Sequence, residues 1–143
     1  MTLRVCLAGA TGWAGAALAR AIVQTNDLEL VAGVSRQHAG RHLGEVLGIP
    51  RLDTVLSGSA AKALTTACDV FVEYTQPEVA KANVITAIER GAHVVIGTSG
   101  ISDQDLEQLD GLARQHHRGV LAVGNFSLAN VLLLKCAECW TRS

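Results

Sequence analysis

Short apolar runs alternate along the chain with glycine turns and with stretches whose apolar residues recur at helical spacing. Leu3-Arg4-Val5-Cys6-Leu7-Ala8 is nearly continuous in apolar residues and stops at Gly9, the pattern of a strand covered on both faces of a parallel sheet. From Trp13 to Thr25 the positions Ala17, Leu18, Ala21 and Ile22 share one helical face, and Asn26-Asp27 marks the stop. Leu28 to Val34 supplies a second strand, so the first 34 residues read as a βαβ unit, whose crossover is right-handed in about 98% of cases. Ser35 to Ser59 holds Gly40, Gly44, Gly48, Pro50 and Gly58 without a sustained period. It predicts loops with a helical turn near Leu43–Leu47.

The alternation then resumes. Val70-Phe71-Val72-Glu73 predicts a strand, and Thr75-Gln76-Pro77-Glu78 fits a capping box in which Thr75 caps the next helix and Glu78 reaches back. Pro77 falls in the first turn, where its missing N–H is harmless. That helix is predicted to reach about Arg90 and to end at Gly91, followed by a buried strand, His93–Ile96, and the turn Gly97-Thr98-Ser99-Gly100. Ser102 caps a helix with Asp103 and Asp105 in its first turn, running to about His116. Val120–Val123 predicts a further strand, and Leu128 to Trp140 a last, apolar helix. Strands alternating with helices predict an α/β fold, a Rossmann-like doubly wound parallel sheet. Residues 1–124 form this α/β domain; residues 125–143 read as a junction segment and the start of a helix that leads out of it.

Composition narrows the function classes. With 49% hydrophobic, 17% charged and 3% aromatic residues in 143, the chain is too apolar for disorder and too poor in rings for a base-stacking platform. A formal charge of −1, spread evenly, gives no global field for nucleic acid or an anionic membrane, so neither is an expected partner. No apolar run approaches the ~18–20 residues of a spanning helix, and the opening residues lead straight into a strand, so a cytoplasmic protein is expected. Cys6, Cys68, Cys136 and Cys139 are too few and scattered for a disulfide scaffold and are read as reduced thiols. Cys136-Ala137-Glu138-Cys139 matches C-x-x-C, but without a second Cys/His pair it predicts no zinc site.

Gly9-Ala10-Thr11-Gly12-Trp13-Ala14-Gly15 lies between the first strand and the first helix. Backbone N–H groups and the positive helix end converge there, as a pyrophosphate requires. The spacing is G-x-x-G-x-x-G, a variant of the dinucleotide fingerprint, and its place in a βαβ unit makes it more specific than a lone pattern match. The plainer alternative is a glycine turn serving packing alone. Val34-Ser35-Arg36 occupies the position that reads the adenine ribose. It holds no carboxylate for a free 2′-hydroxyl, whereas Ser35 can donate to a 2′-phosphate and Arg36 can pair with it, so NADPH is favoured, with NADH also possible. Glu73-Tyr74-Thr75 and Gly97–Gly100 follow strands on the sheet edge where ligands of open α/β folds collect. Glu73 reads first as a cap for neighbouring backbone and second as a general base.

Taken in order, Gly9–Gly15, Val34–Arg36, Glu73–Pro77, Gly97–Gly100 and Asn125-Phe126-Ser127 resemble the amino-terminal cofactor-binding domain of the 4-hydroxy-tetrahydrodipicolinate reductase (dihydrodipicolinate reductase) family, over nearly the whole chain. The most specific matches are the G-T-[TS]-G turn at Gly97–Gly100 and the N-F-S segment with its following apolar helix, Asn125–Lys135. The resemblance implies that Gly9, Ala10, Thr11, Gly12, Trp13 and Ala14 hold the pyrophosphate and that Ser35 and Arg36 meet the adenosine ribose or its phosphate. It also implies that Gly97, Thr98, Ser99, Val123, Gly124, Asn125 and Phe126 surround the nicotinamide. The implied activity is NAD(P)H-dependent reduction of a cyclic dicarboxylate in lysine biosynthesis. No residue of this chain is assigned as catalytic, and no metal is expected.

The family pattern has Arg-Met where this chain has Trp13-Ala14, which leaves Arg36 the larger share of phosphate recognition. The family's second domain, which brings the His-His and lysine motif, the substrate site and the contacts of a homo-oligomer, has no counterpart before Ser143. The isolated chain is therefore expected to bind cofactor with little turnover. Two other classes stay open: a nucleotide-binding module without turnover, and another nicotinamide-dependent dehydrogenase.

Overall fold

A computed structural model gives the structure of the chain, described for residues 1–123. The elements follow in the order β1 (Leu3–Ala8), α1 (Trp13–Val23), β2 (Leu28–Val34), α2 (Leu43–Leu47), β3 (Leu56–Ser57), α3 (Ala60–Ala63), β4 (Val70–Glu73), α4 (Pro77–Glu89), β5 (His93–Ile96), α5 (Asp103–Gln115) and β6 (Val120–Ala122). Among the described residues six strands form one sheet in the order β3-β2-β1-β4-β5-β6, every pair parallel. This is the doubly wound order expected of the βαβ pattern. The chain crosses from β3 at one edge back to β4 beside β1, so the connections leaving β1 and β4 diverge to opposite faces and leave a crevice at their carboxyl ends.

The period-two alternation of the strands loads both faces. Val5 and Leu7 of β1 pack with Ala19 and Ile22 of α1 and with Leu43 of α2. Cys6 and Ala8 join Val84, Ala87 and Ile88 of α4 and Leu109 and Ala113 of α5 on the other side. In α4 the buried positions are Ala80, Val84, Ala87 and Ile88, spaced i, i+4, i+7, i+8, which is the stripe a covering helix needs. Among the described residues no helix is long and apolar enough to cross a membrane. Cys6 is buried and Cys68 half-buried, both as free thiols.

Three expectations change. The capping box at Thr75 does not form: Gln76 is the N-cap of α4, no side chain caps it, and the Thr75 hydroxyl bonds Glu73 instead. The buried Glu73 carboxylate accepts the hydroxyl proton, which the N–H donors of an open helix end cannot take. The loop region contains β3 and α3 as well as the foreseen turn α2; elements of two and four residues are too short to carry a period. The last described strand ends at Ala122, although Val123 still donates its N–H to the Ile96 carbonyl at 2.9 Å. Ser102 caps α5 as expected, accepting from Asp105 N–H at 3.1 Å.

At the opposite end of the sheet Arg4 clamps Asp69. Its Nη2 donates to Oδ1 at 2.9 Å, its Nε to Oδ2 at 3.1 Å, and its backbone N–H to Oδ2 at 2.8 Å. These side-chain and backbone hydrogen bonds lower the Asp69 carboxyl from 3.8 to about 2. A carboxyl lowered on folding stabilises above its unfolded value, and that stabilisation is lost as pH falls through about 2. Urea midpoints measured from pH 5 downward should therefore decline less steeply in Asp69→Asn than in the wild type; parallel declines would contradict the clamp.

Candidate functional site

The crevice at the switch point holds a cleft of about 390 Å³, within the range of small-molecule sites. Its floor is Gly9, Thr11 and Gly12, one wall Val34–Gln37 with Gly58–Ala60, and the other Tyr74–Gln76 with Val79 and Asn83.

The floor is shaped by close backbone approach. Gly9 has φ +79°, and a Cβ there would come within 3.0 Å of the Tyr74 carbonyl oxygen, so only glycine fits between β1 and the turn after β4. Gly9 and Ala10 both donate N–H to the Val34 carbonyl, at 3.0 and 3.1 Å, and Gly12 donates to Gly9 at 3.0 Å. Among the described residues no backbone acceptor takes the N–H groups of Thr11, Trp13, Ala14 or Gly15, and the Gly12 N-cap has no side chain to cap α1. Four donors at a helix N-terminus thus await an acceptor from outside the backbone.

The rest of the wall sets the charge. Among the described residues neither Asp nor Glu lines the cleft, and the one formal charge there is the exposed Arg36, whose Nη2 lies 3.4 Å from Gln76 Oε1. Ser35 is only 7% exposed, and its Oγ lies 2.8 Å from Thr11 Oγ1 and 3.3 Å from His38 Nδ1. Glu73, fully buried at the end of β4, accepts from Thr75 N–H at 2.6 Å, from the Thr75 hydroxyl, and from Asn83 Nδ2 at 2.9 Å. Burial pushes its carboxyl above the ordinary 4.5, against the pull of those donors. This is the capping role: the carboxylate pins the Tyr74–Gln76 turn and Asn83, and it faces the protein interior.

The sequence-predicted residues divide. Gly9, Thr11, Gly12, Ser35 and Arg36 come together on the cleft. Ala10 is buried in the core beneath it, Ala14 offers an unengaged N–H, and the Trp13 ring stands 95% exposed outside it. Gly97, Thr98, Ser99 and Val123 lie beyond the cleft at the carboxyl ends of β5 and β6. They are tied to it all the same. Gly97 N–H donates to the Glu73 carbonyl at 2.9 Å, and the Thr98 hydroxyl reaches the carbonyls of Glu73 and Thr75 at 3.2 and 3.4 Å. The Tyr74 ring lies against Gly97, where a Cβ would overlap it. Gly124, Asn125, Phe126, the Leu128–Trp140 helix and Cys136 and Cys139 lie outside the described residues. Sequence reasoning missed Gln37, His38, Gly58–Ala60 and Asn83. Gly58-Ser59 was a readable signal, since Ser59 caps α3 by accepting from Lys62 N–H at 3.3 Å.

Comparison with known proteins gives the family of the chain. The family profile described as dihydrodipicolinate reductase, N-terminus, matches residues 3–126. The 4-hydroxy-tetrahydrodipicolinate reductase of Bacillus cereus strain AH187 is 34% identical over 137 residues, 95% of this chain and 52% of the relative. The enzyme of the same name from Moorella thermoacetica is 34% identical over 138 residues, 96% and 52% of the two chains. The solved structure of a dipicolinate-bound dihydrodipicolinate reductase from Paenisporosarcina sp. TG-14 superposes with a TM-score of 0.80 at 26% identity, covering 97% of this chain and 53% of the other. The chain spans about half the length of the curated relatives it matches. On the family profile and these relatives together, the chain belongs to the dihydrodipicolinate reductase family and carries its N-terminal domain.

Proposed function

We propose that this chain is the cofactor-binding domain of a cytoplasmic, NADPH-preferring reductase that converts 4-hydroxy-tetrahydrodipicolinate to tetrahydrodipicolinate in the diaminopimelate route to lysine. The dicarboxylate substrate and the contacts of a homo-oligomer belong, in this reading, to a second domain. The observation that carries it is the set of four N–H groups without an acceptor among the described residues, on Thr11 in the cleft floor and on Trp13, Ala14 and Gly15 in the first turn of the helix that starts from it, beside a cleft whose described lining holds no carboxylate. A diphosphate is an acceptor-only dianion, and such donors suit it without competition from a fixed negative charge.

The residues fit a dinucleotide in order. Thr11–Gly15 would hold the diphosphate, while Ser35 and Arg36, at the end of β2, would meet the 2′-substituent of the adenosine. Gly97–Ser99, stitched to the Glu73–Thr75 turn, would line the nicotinamide end with Val123, Gly124, Asn125 and Phe126. When bound, the nicotinamide supplies the hydride; the chain's own residues orient it and exclude water from its face.

Isothermal titration of the purified chain tests the reading. NADPH is expected to bind more tightly than NADH. Arg36→Ala should narrow that gap by ~1.5–3 kcal/mol, the worth of a hydrogen bond to a charged group, or roughly 10- to 150-fold. Equal wild-type affinities would overturn the phosphate assignment.

A further inference from the structure

Ser35 carries one proton and stands between two partners, Thr11 Oγ1 at 2.8 Å and His38 Nδ1 at 3.3 Å. His38 does not itself line the cleft; it reaches the site through that hydroxyl. We propose that His38 is a positioning residue that sets the direction of the Ser35 hydroxyl, and through it makes the preference between a 2′-phosphorylated and a 2′-hydroxyl dinucleotide depend on pH. The proposal rests on the nucleotide reading above and deepens it.

The argument is one of proton counting. When Nδ1 of His38 is bare it can only accept, so Ser35 donates to it, Thr11 donates to Ser35, and Ser35 turns a lone pair to the cleft. A ribose 2′-hydroxyl can donate into that lone pair, but a 2′-phosphate, rich in acceptors, is repelled by it. When His38 is protonated both ring nitrogens carry hydrogen, and Nδ1 donates to Ser35. The Ser35 proton is then released to point at the cleft, where a phosphate oxygen can take it in a charge-assisted bond.

Histidine is the side chain whose charge ordinarily changes between pH 5 and 8. The charged and titratable side chains of its own loop are Arg36, Arg41 and His42, and the Arg41 backbone N–H donates to the His38 carbonyl at 3.1 Å. Of the segments against which that loop packs, the one before β3 brings Asp53, whose Oδ1 lies 2.7 Å from His42 Nδ1; the others bring no titratable group. Leu56–Ala60 receives it through Gly40 N–H on the Leu56 carbonyl at 2.8 Å and Ala39 on Gly58, and Gly9–Gly12 meets it through Thr11.

The test is the ratio of NADPH to NADH dissociation constants, measured by titration at steps between pH 8 and 5.5 on the wild type, His38→Asn and Ser35→Ala. The ligand's own phosphate also titrates in this range, but identically for all three proteins, so it cancels in the comparison. Relative to His38→Asn, the wild type is expected to gain about tenfold in preference for NADPH on acidification, the scale of one charge-assisted hydrogen bond. Ser35→Ala should lack that gain although it keeps His38. If Ser35→Ala keeps the gain, the imidazolium acts by charge alone and the relay is wrong. If His38→Asn follows the wild-type course, His38 has no part in it. If neither dinucleotide binds at any pH, the nucleotide reading itself falls.

Discussion

Gly15→Ala should destabilise the domain by about 2–3 kcal/mol and weaken dinucleotide binding at least tenfold, although alanine is the better helix former. Gly15 is the third residue of α1 and is buried. A Cβ there would fall inside 3.0 Å of both the carbonyl oxygen and carbon of Gly9 and at 3.1 Å from Ala10 Cα. These are backbone atoms that no rotamer change can move, and the Gly9 oxygen is already the acceptor of Gly12 N–H at 3.0 Å. The start of α1 would have to lift from the turn, and the unengaged N–H groups of Trp13, Ala14 and Gly15 would move with it. Gly111→Ala supplies the contrast. Gly111 sits exposed within α5 with nothing within 4 Å of its added Cβ, so the same substitution should stabilise by ~0.5–1 kcal/mol. Urea unfolding gives both signs, and titration with NADPH gives the binding loss. Wild-type affinity in a fully folded Gly15→Ala would show that close packing of α1 on the turn does not shape the site.

That contrast also marks what a sequence can convey. Both glycines interrupt helical patterns, but only Gly15 belongs to a spaced triplet after a buried strand, and the triplet signalled its packing role. Strands covered on both faces announce themselves as apolar runs, which is why β1, β2, β4 and β5 were legible, and with them the doubly wound parallel sheet. The opposite cleft wall was not. Gly58–Ala60 is brought to the site by a two-residue strand whose pairing, Gly33 to Leu56 and Val34 to Ser57, is a tertiary event with no local period. Asn83 lies on a helix, where its spacing shows only that it shares a face with Val79; its bond to Glu73 depends on how α4 settles on the sheet. Thr75 failed as a predicted cap for the same reason: the sequence shows the hydroxyl and the helix start, but not the buried carboxylate two residues earlier that takes the proton. Ser35 was placed at the end of β2 and does line the cleft, whereas its two hydroxyl partners, Thr11 and His38, are visible only in three dimensions.

Glu73→Ala is expected to cost about 2–3 kcal/mol, because it empties a fully buried position and takes the acceptor from three half-buried donors, the Thr75 N–H, the Thr75 hydroxyl and the Asn83 amide. It also frees the Tyr74–Gln76 turn, so NADPH affinity should fall with stability. Glu73→Gln should cost less than about 1.5 kcal/mol: its amide oxygen can accept from Thr75, and Asn83 can turn its own oxygen toward the new NH2. The two variants separate packing from charge, and pH then isolates the charge. Burial raises the Glu73 carboxyl above its ordinary 4.5, so the native state holds that proton more firmly than the unfolded chain. The resulting stabilisation is full below 4.5 and is lost as pH rises through the folded value. Wild-type stability relative to Glu73→Gln should therefore grow on acidification toward pH 4.5. The Arg4–Asp69 clamp works in the opposite direction and in a different window, losing its stabilisation between 3.8 and about 2. Unfolding free energies from pH 8 to 2 should thus show the Glu73 difference above 4.5 and the Asp69 difference below 3.8. If the wild type instead loses ground to Glu73→Gln as pH falls toward 4.5, the hydrogen bonds from Thr75 and Asn83 outweigh burial, and Glu73 is anchored by charge.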